Sequence, residues 1–340
     1  MYRHLLVPLD GSELATHLVS QAVDFAAALG ARITFFTMRP YYGATGQEAL
    51  QRTLSPESFA EAAAGEANAI LAKAIVAAGA RNVACDGVAR SGGHPYEVIL
   101  QVATERGCDL IFMASHGRRG LKALVLGSQT QKVLAHSPLP VLVVSVEGNA
   151  ASSAGEEAIR IIKDEHRAIA AVTNGLRHAA ARLRAGDAPD LEFVADMVRY
   201  IKVFPETLHH PKEETCLFAR LARRTSDYDD LLATLEAEHR DGARILNALD
   251  ILISRCGHDV PAPLGALAEA LDTFADAQWR HIAAEEKLIL PAARRHLTED
   301  DWQHIETEFR QNGATGADPA GEEALKRLFV RLMNIAASGA

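Results

Sequence analysis

One pattern of chemistry-bearing residues occurs twice in the second half of this chain, and it constrains the fold more than any other feature. Each copy has a Glu-His pair followed, further along the chain, by a histidine and a glutamate four positions apart. The members of the first copy are His166, His209 and Glu213, and those of the second are His239, His281 and Glu285. The lone histidines are 73 positions apart and the His/Glu pairs are 72 positions apart. A repeat in nearly constant register predicts two equivalent halves of one folded unit.

Residues four apart on a helix lie on one face, so each His/Glu pair points toward one place. Four helices packed together then bring four imidazoles and two carboxylates to a common centre. A carboxylate bridges two metal ions while an imidazole binds one, so this set of donors predicts two ions. Imidazole and carboxylate without cysteine suit iron, zinc or manganese and disfavour a structural zinc site.

Two alternatives remain open at this stage. A single histidine on an apolar helix face is more often a hydrogen-bonded core residue than a ligand, and only the repetition in register favours ligands here. In addition, His210 and Glu214 are four apart and form a rival pair, with Pro211 between them as a potential helix breaker. The repeat favours His209 and Glu213 as ligands, which leaves His210, Glu214 and Glu286 as residues around the ligands.

The first part of the chain has a different pattern, in which short apolar runs alternate with amphipathic stretches. Nearly continuous apolar strands separated by helices predict a doubly wound α/β domain with a five-stranded parallel sheet over residues 1–147. The predicted strands are 4–9, 33–38, 83–89, 110–114 and 141–146, and the predicted helices are 13–29, 57–79, 94–106 and 128–136.

Residues 148–155 are small and polar, which predicts a linker. After it, apolar residues recur at helical spacing between turn signals, which predicts an all-α antiparallel four-helix bundle over 156–296. Residues 297–340 suggest one or two further helices, with a break at Gly313–Pro319.

The formal net charge of -9 argues against nucleic acid or an anionic membrane as the main partner. The N-terminus lacks the apolar core of an export signal, and the four cysteines form no C-x-x-C pair, as expected for reduced thiols in a cytoplasmic protein.

Residues 156–296 resemble the hemerythrin HHE cation-binding family through the motifs DEH (164–166), HHPKEE (209–214), AEH (237–239) and HIAAEE (281–286). The resemblance implies a non-heme di-iron centre with six ligands: His166, His209, Glu213, His239, His281 and Glu285. Oxygen-carrying hemerythrins have a second histidine one turn after the third-helix histidine, where this chain has Ala243. The set of four His and two Glu is closer to the iron–sulfur-cluster repair and iron-sensing members.

A glycine-rich loop, ASHGRRG, follows the predicted strand 110–114 and leads to Gly127 and Ser128 at the start of a helix. Such a loop either cradles a phosphate or is a turn with a serine N-cap. Together with the start HLLVPLDGS and the strand PVLVVSV, it makes residues 1–147 similar to the universal stress protein family. That resemblance implies ATP contacts by Gly117, Gly127 and Ser128, with Asp10 near the adenine or ribose. Ala114 stands where ATP-binding members have glycine.

These observations predict a stress-response protein in which a nucleotide-binding domain is coupled to a di-iron site that binds or senses O2, NO, peroxide or iron. One alternative is a di-iron enzyme for iron–sulfur-cluster repair or peroxide removal, and another is a metal-dependent interaction module without turnover. The apolar run of the last strand predicts a homodimer formed through that strand.

Overall fold

The structure is a computed structural model, and it describes residues 2–11, 13–39, 56–115, 127–144, 154–187, 190–258, 263–310, 324–325 and 327–333. The chain forms two compact units, the first containing residues 1–151 and the second residues 152–332. No helix among the described residues is both long enough and apolar enough to span a bilayer.

The N-terminal unit is a five-stranded parallel sheet with helices between the strands. In chain order its elements are β1 (His4–Leu9), α1 (Glu13–Leu29), β2 (Arg32–Met38), α2 (Pro56–Gly79), β3 (Cys85–Arg90), α3 (Pro95–Glu105), β4 (Leu110–Ala114), α4 (Ser128–His136) and β5 (Val141–Val144). The strand order is β3-β2-β1-β4-β5, and every neighbouring pair is parallel. This confirms the doubly wound sheet that the sequence predicts.

Apolar side chains extend from both faces of this sheet into buried clusters, which explains why its strands are hydrophobic throughout. Along β1, Leu5 and Val7 belong to one buried cluster and Leu6 to the cluster on the opposite face. Phe35 and Phe36 on β2 divide between the two faces in the same way.

The C-terminal unit contains four long helices, each of which packs on the next, while the fourth packs on the first. The first bundle helix is Ala154–Ala185 and the third is Asp229–His258. The second runs over 191–224 as Leu191–Phe204, a π turn Pro205–His209, His210–Lys212, a π turn Glu213–Phe218, and Ala219–Arg224. The fourth runs over 264–296 as Leu264–Ala284, a π turn Glu285–Ile289, and Leu290–His296.

Local signals set the ends of the first two helices. The first ends at Gly186, whose φ of 88° is a conformation that glycine adopts without strain. The second begins after Asp190, whose carboxylate accepts a hydrogen bond from the Phe193 amide at 2.9 Å. The predicted linker 148–155 lies mostly outside the described residues, and its last two residues already belong to the first bundle helix.

A fifth helix, Glu299–Arg310, packs on the first bundle helix and buries Trp302, Ile305 and Phe309. Gly155 allows this close approach, because a Cβ at that position would lie 3.0 Å from the Trp302 ring. The predicted C-terminal extension therefore contains Glu299–Arg310 and a second helical stretch in the described residues 324–325 and 327–333, whereas the predicted break at Gly313–Pro319 lies outside the described residues.

Candidate metal centre

All six side chains singled out as metal ligands are buried in the interior of the four-helix bundle. His166 and Glu213 are 1% and 0% exposed. The other members, also buried, are His209, His239, His281 and Glu285. Each bundle helix contributes one histidine, and the second and fourth helices add one glutamate each. Ionisable groups in an apolar core require partners, and here each lies close to others of the set.

Glu213 lies between histidines of both halves of the repeat. Its Oε1 is 3.3 Å from Nε2 of His166 and 3.3 Å from Nε2 of His209. Its Oε2 is 3.9 Å from Nε2 of His239. The two oxygens of this carboxylate therefore face different groups of imidazoles.

Glu285 is placed in a corresponding way. Its Oε2 is 3.4 Å from Nε2 of His166, and its Oε1 is 3.2 Å from Nε2 of His281. The arrangement thus has two sides, one with His166 and His209 and the other with His239 and His281, and both carboxylates lie between the sides.

The unsatisfied atoms at the centre fit the donor set of a cation site. Nε2 of His209, Oε2 of Glu213 and both oxygens of Glu285 are buried and have no hydrogen-bond partner. Nε2 of His239 and Nε2 of His281 are 2.9 Å apart. Adjacent nitrogen ligands of one ion, each about 2.1 Å from it, are separated by about 3 Å. Buried donors left without partners, at this spacing, suit bound cations.

Every one of the four histidines directs Nε2 to the centre and Nδ1 to an outer carboxylate. The Nδ1 of His209 lies 2.7 Å from Glu165 and that of His239 lies 2.8 Å from Glu214. The remaining two contacts are His281 to Glu238 at 2.8 Å and His166 to Glu286 at 3.2 Å. An Nδ1–H that donates to a carboxylate leaves the Nε2 lone pair available and fixes the ring orientation.

These outer contacts form a closed ring around the bundle. The first helix provides Glu165 to the second, and the second provides Glu214 to the third. The third provides Glu238 to the fourth, and the fourth provides Glu286 back to the first. Each outer glutamate is the chain neighbour of a residue at the centre. Sequence reasoning placed Glu214 and Glu286 beside the ligands but missed Glu165 and Glu238, although both precede the lone histidines at the same repeat offset.

The carboxylates change the protonation of the imidazoles. Burial by itself lowers the pKa of His166, but hydrogen bonds to Glu213 and Glu286 outweigh it and raise that pKa to about 10. Against the same effect of burial, Glu213 and Glu165 raise the pKa of His209 to about 9. The pKa of His281 is raised to about 10, because Glu285 and Glu238 outweigh its burial. In the metal-free centre these rings therefore hold protons, which a cation must displace.

Three π turns lie at the ligand pairs. One ends at His209, the second begins at Glu213 and the third begins at Glu285. A π turn adds one residue to the turn and rotates the side chains that follow it, and such turns are frequent at functional sites. The helix continues through Pro211, which the sequence had suggested as a break. Glu213 points to the centre of the bundle, whereas Glu214 belongs to the outer carboxylates.

The C-terminal extension also reaches the centre. The Phe309 ring lies edge-on to His209 with centroids 6.1 Å apart, and Nζ of Lys212 lies 5.7 Å from the centre of the same ring. No spacing in the sequence connects Phe309 with the repeat, so only the packing of the fifth helix reveals this contact.

The residues predicted to bind a nucleotide are described in part. Asp10 directly follows β1, and Gly127 and Ser128 lie at the N-terminus of α4. The Gly127 amide donates to the Ser115 carbonyl at 2.7 Å, which fixes the start of α4 next to the end of β4. Gly117 lies outside the described residues.

Comparisons with known proteins match both units. Residues 1–145 match the profile of the universal stress protein family, and residues 157–293 match that of the hemerythrin HHE cation binding domain. The universal stress protein in the QAH/OAS sulfhydrylase 3' region of Thermus aquaticus is 34% identical, over 42% of this chain and 99% of that protein. Universal stress protein YxiE of Bacillus subtilis is 31% identical, over 42% of this chain and 99% of that protein. The solved structure of hypothetical protein MJ0577 covers 43% of this chain and 96% of its own, at 27% identity and a TM-score of 0.35.

The raised histidine pKa values predict how the stability of the metal-free protein depends on pH. A histidine whose pKa is higher in the folded than in the unfolded protein, where it is about 6.5, stabilises the fold when it is protonated. This contribution to the free energy of unfolding is fully present below about pH 6.5. It is lost as the pH rises through the folded values of about 9 for His209 and about 10 for His166 and His281. Between about pH 6.5 and pH 10 we expect the Tm of the helical unit to fall by at least about 5 °C, because a loss of about 2.5 kcal/mol, well below the sum of the three shifts at about 1.36 kcal/mol per pKa unit, suffices at about 2 °C per kcal/mol.

The test is thermal unfolding with a chelator present, followed by the helical circular dichroism signal. The double variant His166→Gln/His281→Gln is the control and should show a shallower decline with pH. A Tm that is constant or rises over this range would contradict the assignment of protonated imidazoles.

Proposed function

Since the chain belongs to the universal stress protein family over residues 1–145 and carries a hemerythrin HHE cation binding domain over residues 157–293, we propose that it is a stress-response protein whose bundle holds two iron ions. Through this di-iron site it binds or senses a small molecule such as O2, NO or peroxide, or iron itself. The N-terminal domain, in this proposal, binds an adenine nucleotide.

One observation carries the proposal of two ions. Glu213 and Glu285 each direct one oxygen toward His166 and the other toward the side that holds His239 and His281. A carboxylate between two groups of imidazoles has the geometry of a bridge between two ions. A single ion would instead be bound by both carboxylates on the same side of the centre. His166 and His209 would hold one ion, and His239 and His281 the other.

The donor count favours a reactive centre over a structural one. Two imidazoles and one oxygen from each carboxylate give each ion four protein donors, which leaves positions open on an octahedral ion. Iron supplies reversible redox chemistry and small-molecule binding at such positions. The protein's own part is to hold the Nδ1 proton of each ring on an outer carboxylate, so that Nε2 is the atom that gives up its proton to a cation, and to surround the centre with apolar side chains.

The metal proposal predicts about two iron ions per chain after anaerobic reconstitution, from the donor count above. His209→Ala and His281→Ala each remove one donor from a different ion, so the iron content should fall to about one ion per chain or less. Metal analysis and the near-ultraviolet absorption spectrum of the full-length protein measure this. His178→Ala is the control, because His178 is exposed. The iron content of this variant should stay at the wild-type level. A folded wild-type protein that takes up no iron would refute the proposal.

The sheet topology supports a nucleotide site in the N-terminal unit. The strand order changes direction between β1 and β4, which are hydrogen-bonded neighbours. In doubly wound sheets, ligands bind beyond the carboxyl ends of the strands at this change of direction. Asp10 follows β1 there, and Ser115 follows β4 and binds the start of α4. The free amides of the first turn of α4 and the Ser128 hydroxyl are suitable donors to a phosphate.

We expect Ser128→Ala to weaken ATP binding about tenfold, a loss of about 1.4 kcal/mol. Gly127→Val should abolish binding, because a branched side chain blocks the approach of a phosphate. Ala114→Gly should tighten it by removing a methyl group from the start of the loop. Calorimetry with and without iron measures these affinities and any coupling between the two ligands. Ser20→Ala, on the exposed side of α1, is the matched control, and equal affinity in Gly127→Val and wild type would exclude this loop.

The outer edge of β5, which no other described strand covers, supports the proposal of a homodimer. Its four side chains are only half-buried, and among the described strands β5 pairs with β4 alone. The hydrogen bonds Ile111 N–H to Pro140 O and Ser115 N–H to Val144 O set the register. In this register the amides of Val141 and Val143 point away from β4, toward the open edge. An apolar edge strand with unpaired amides favours pairing with a second chain.

We therefore expect a dimer at micromolar concentration by light scattering. Val143→Pro removes an outward amide without removing a bond to β4, so it should weaken dimerisation at least tenfold. Val143→Thr keeps a β-branched residue with its amide and serves as the control. A wild-type monomer, or a Val143→Pro dimer of unchanged affinity, would contradict this interface.

A further inference from the structure

His210 and Glu206 are buried polar residues of the second bundle helix that the six-ligand set does not use. His210 is 5% exposed, and its ring lies parallel to that of His239, with centroids 3.9 Å apart and planes 8° apart. Stacked rings direct their in-plane lone pairs side by side, so these two imidazoles cannot both bind one ion. A donor atom of His210 nevertheless lies within 4.8 Å of donor atoms of Glu213 and His281. His210 therefore adjoins the centre without belonging to its ligands.

The outward partner of His210 is Glu206, one helical turn earlier. Nδ1 of His210 lies 3.7 Å from Oε1 of Glu206, and both atoms are buried without a hydrogen-bond partner. This separation is too long for a hydrogen bond. Two ligands of one ion, each about 2.1 Å from it, lie between about 3.0 and 4.2 Å apart. The two unpartnered atoms thus have the spacing of two donors to one cation, which would satisfy both.

Gly242 on the third bundle helix provides the room for Glu206. A Cβ at position 242 would lie 2.6 Å from Oε1 of Glu206, so any other residue would displace the carboxylate. The equivalent position in the first half of the repeat, 73 residues earlier, is Ile169, which is buried. Glycine therefore opens the wall of the bundle between the second and third helices, and a carboxylate that is 13% exposed fills the opening.

The charge at this opening attracts cations. Burial raises the pKa of the Glu206 carboxyl to about 7, and the negative charge of Glu214 adds to this effect. The Glu214 side chain is 36% exposed, so acidic groups extend from the surface to Glu206. In the second half of the repeat, the positions of Glu206 and His210 are occupied by Gln278 and Ile282. The equivalent place there lacks both the carboxylate and the imidazole.

We propose that Glu206 and His210 form an outer site for a divalent cation, from which ions pass to the centre. Two protein donors leave the other positions of the ion to water, so binding is weak and release is fast. Glu206 captures the ion at the opening, and His210 binds it next to the centre. This inference rests on the proposed two-ion centre and goes beyond it by assigning the route by which the ions enter.

The experiment measures the rate of iron uptake separately from the final iron content. Metal-free full-length protein is mixed anaerobically with Fe(II) at a series of concentrations, and bound iron is measured after rapid quenching with a chelator. Glu206→Gln removes the charge but keeps the shape, and His210→Phe keeps a ring on His239 without a nitrogen donor. Glu192→Gln is the matched control, because Glu192 is an exposed carboxylate in the first turn of the same helix.

The wild-type uptake rate should saturate with Fe(II) concentration, as binding at an outer site before transfer requires. In Glu206→Gln and His210→Phe the half-saturating concentration should rise roughly tenfold or more, because one of two protein donors is lost. The final iron content should equal that of the wild type in both variants, and Glu192→Gln should match the wild type in rate and content. Gly242→Ala displaces Glu206 without removing a donor, so it should also slow uptake and serves if Glu206→Gln does not fold.

Unchanged uptake kinetics in folded variants would overturn the inference while leaving the two-ion proposal intact. A lower final iron content in Glu206→Gln or His210→Phe would also overturn it, because these residues would then belong to the centre itself. A folded wild-type protein that takes up no iron would refute both proposals.

Discussion

The C-terminal unit depends on the burial of four imidazoles and two carboxylates in an apolar bundle. Such groups are unfavourable in a core unless each has a partner. Here the partners come from neighbouring helices, because the outer carboxylates link the four helices in a closed ring. The hydrogen bonds that offset the cost of burying these groups also fix the position of each helix along the axis of its neighbour. The geometry of the centre and the packing of the bundle are therefore one constraint.

The π turns adapt a regular helix to that constraint. An α-helix that carries His209 and Glu213 in register with the ring must also direct Glu214 to the third helix. The π turn Pro205–His209 ends at the histidine of the pair and the π turn Glu213–Phe218 begins at its glutamate, so the additional residues rotate the helix on either side of the pair relative to it. Pro211 is compatible with this geometry because it lies in the short segment between two such turns, where the hydrogen bonding is already altered.

Much of this arrangement can be predicted from the sequence, for identifiable reasons. Apolar runs and helical periodicity are local properties, and they predicted the five strands to within two residues and the presence of four long helices in the second unit. The repeat predicted which six side chains meet, because a register that recurs along the chain implies equivalent positions in space. The π turns were missed, because a change from four to five residues per hydrogen-bonded turn leaves no periodic signal. Phe309 was missed for another reason, since its contact with His209 depends on how a fifth helix packs.

The ring of carboxylates has a consequence for the ancestry of the bundle. Its four contacts are two kinds, each made twice: Glu165 to His209 repeats as Glu238 to His281, and Glu214 to His239 repeats as Glu286 to His166. A single helical hairpin that carries one copy of the motif contains all the donors and acceptors for the complete ring. Two such hairpins related by a two-fold axis would close it. Duplication and fusion of a dimeric hairpin is thus a direct route to this bundle. Glu206 and His210 in the first half correspond, 72 positions later, to Gln278 and Ile282 in the second half. Only a fused chain permits such differences, because identical subunits carry the same residue at both positions.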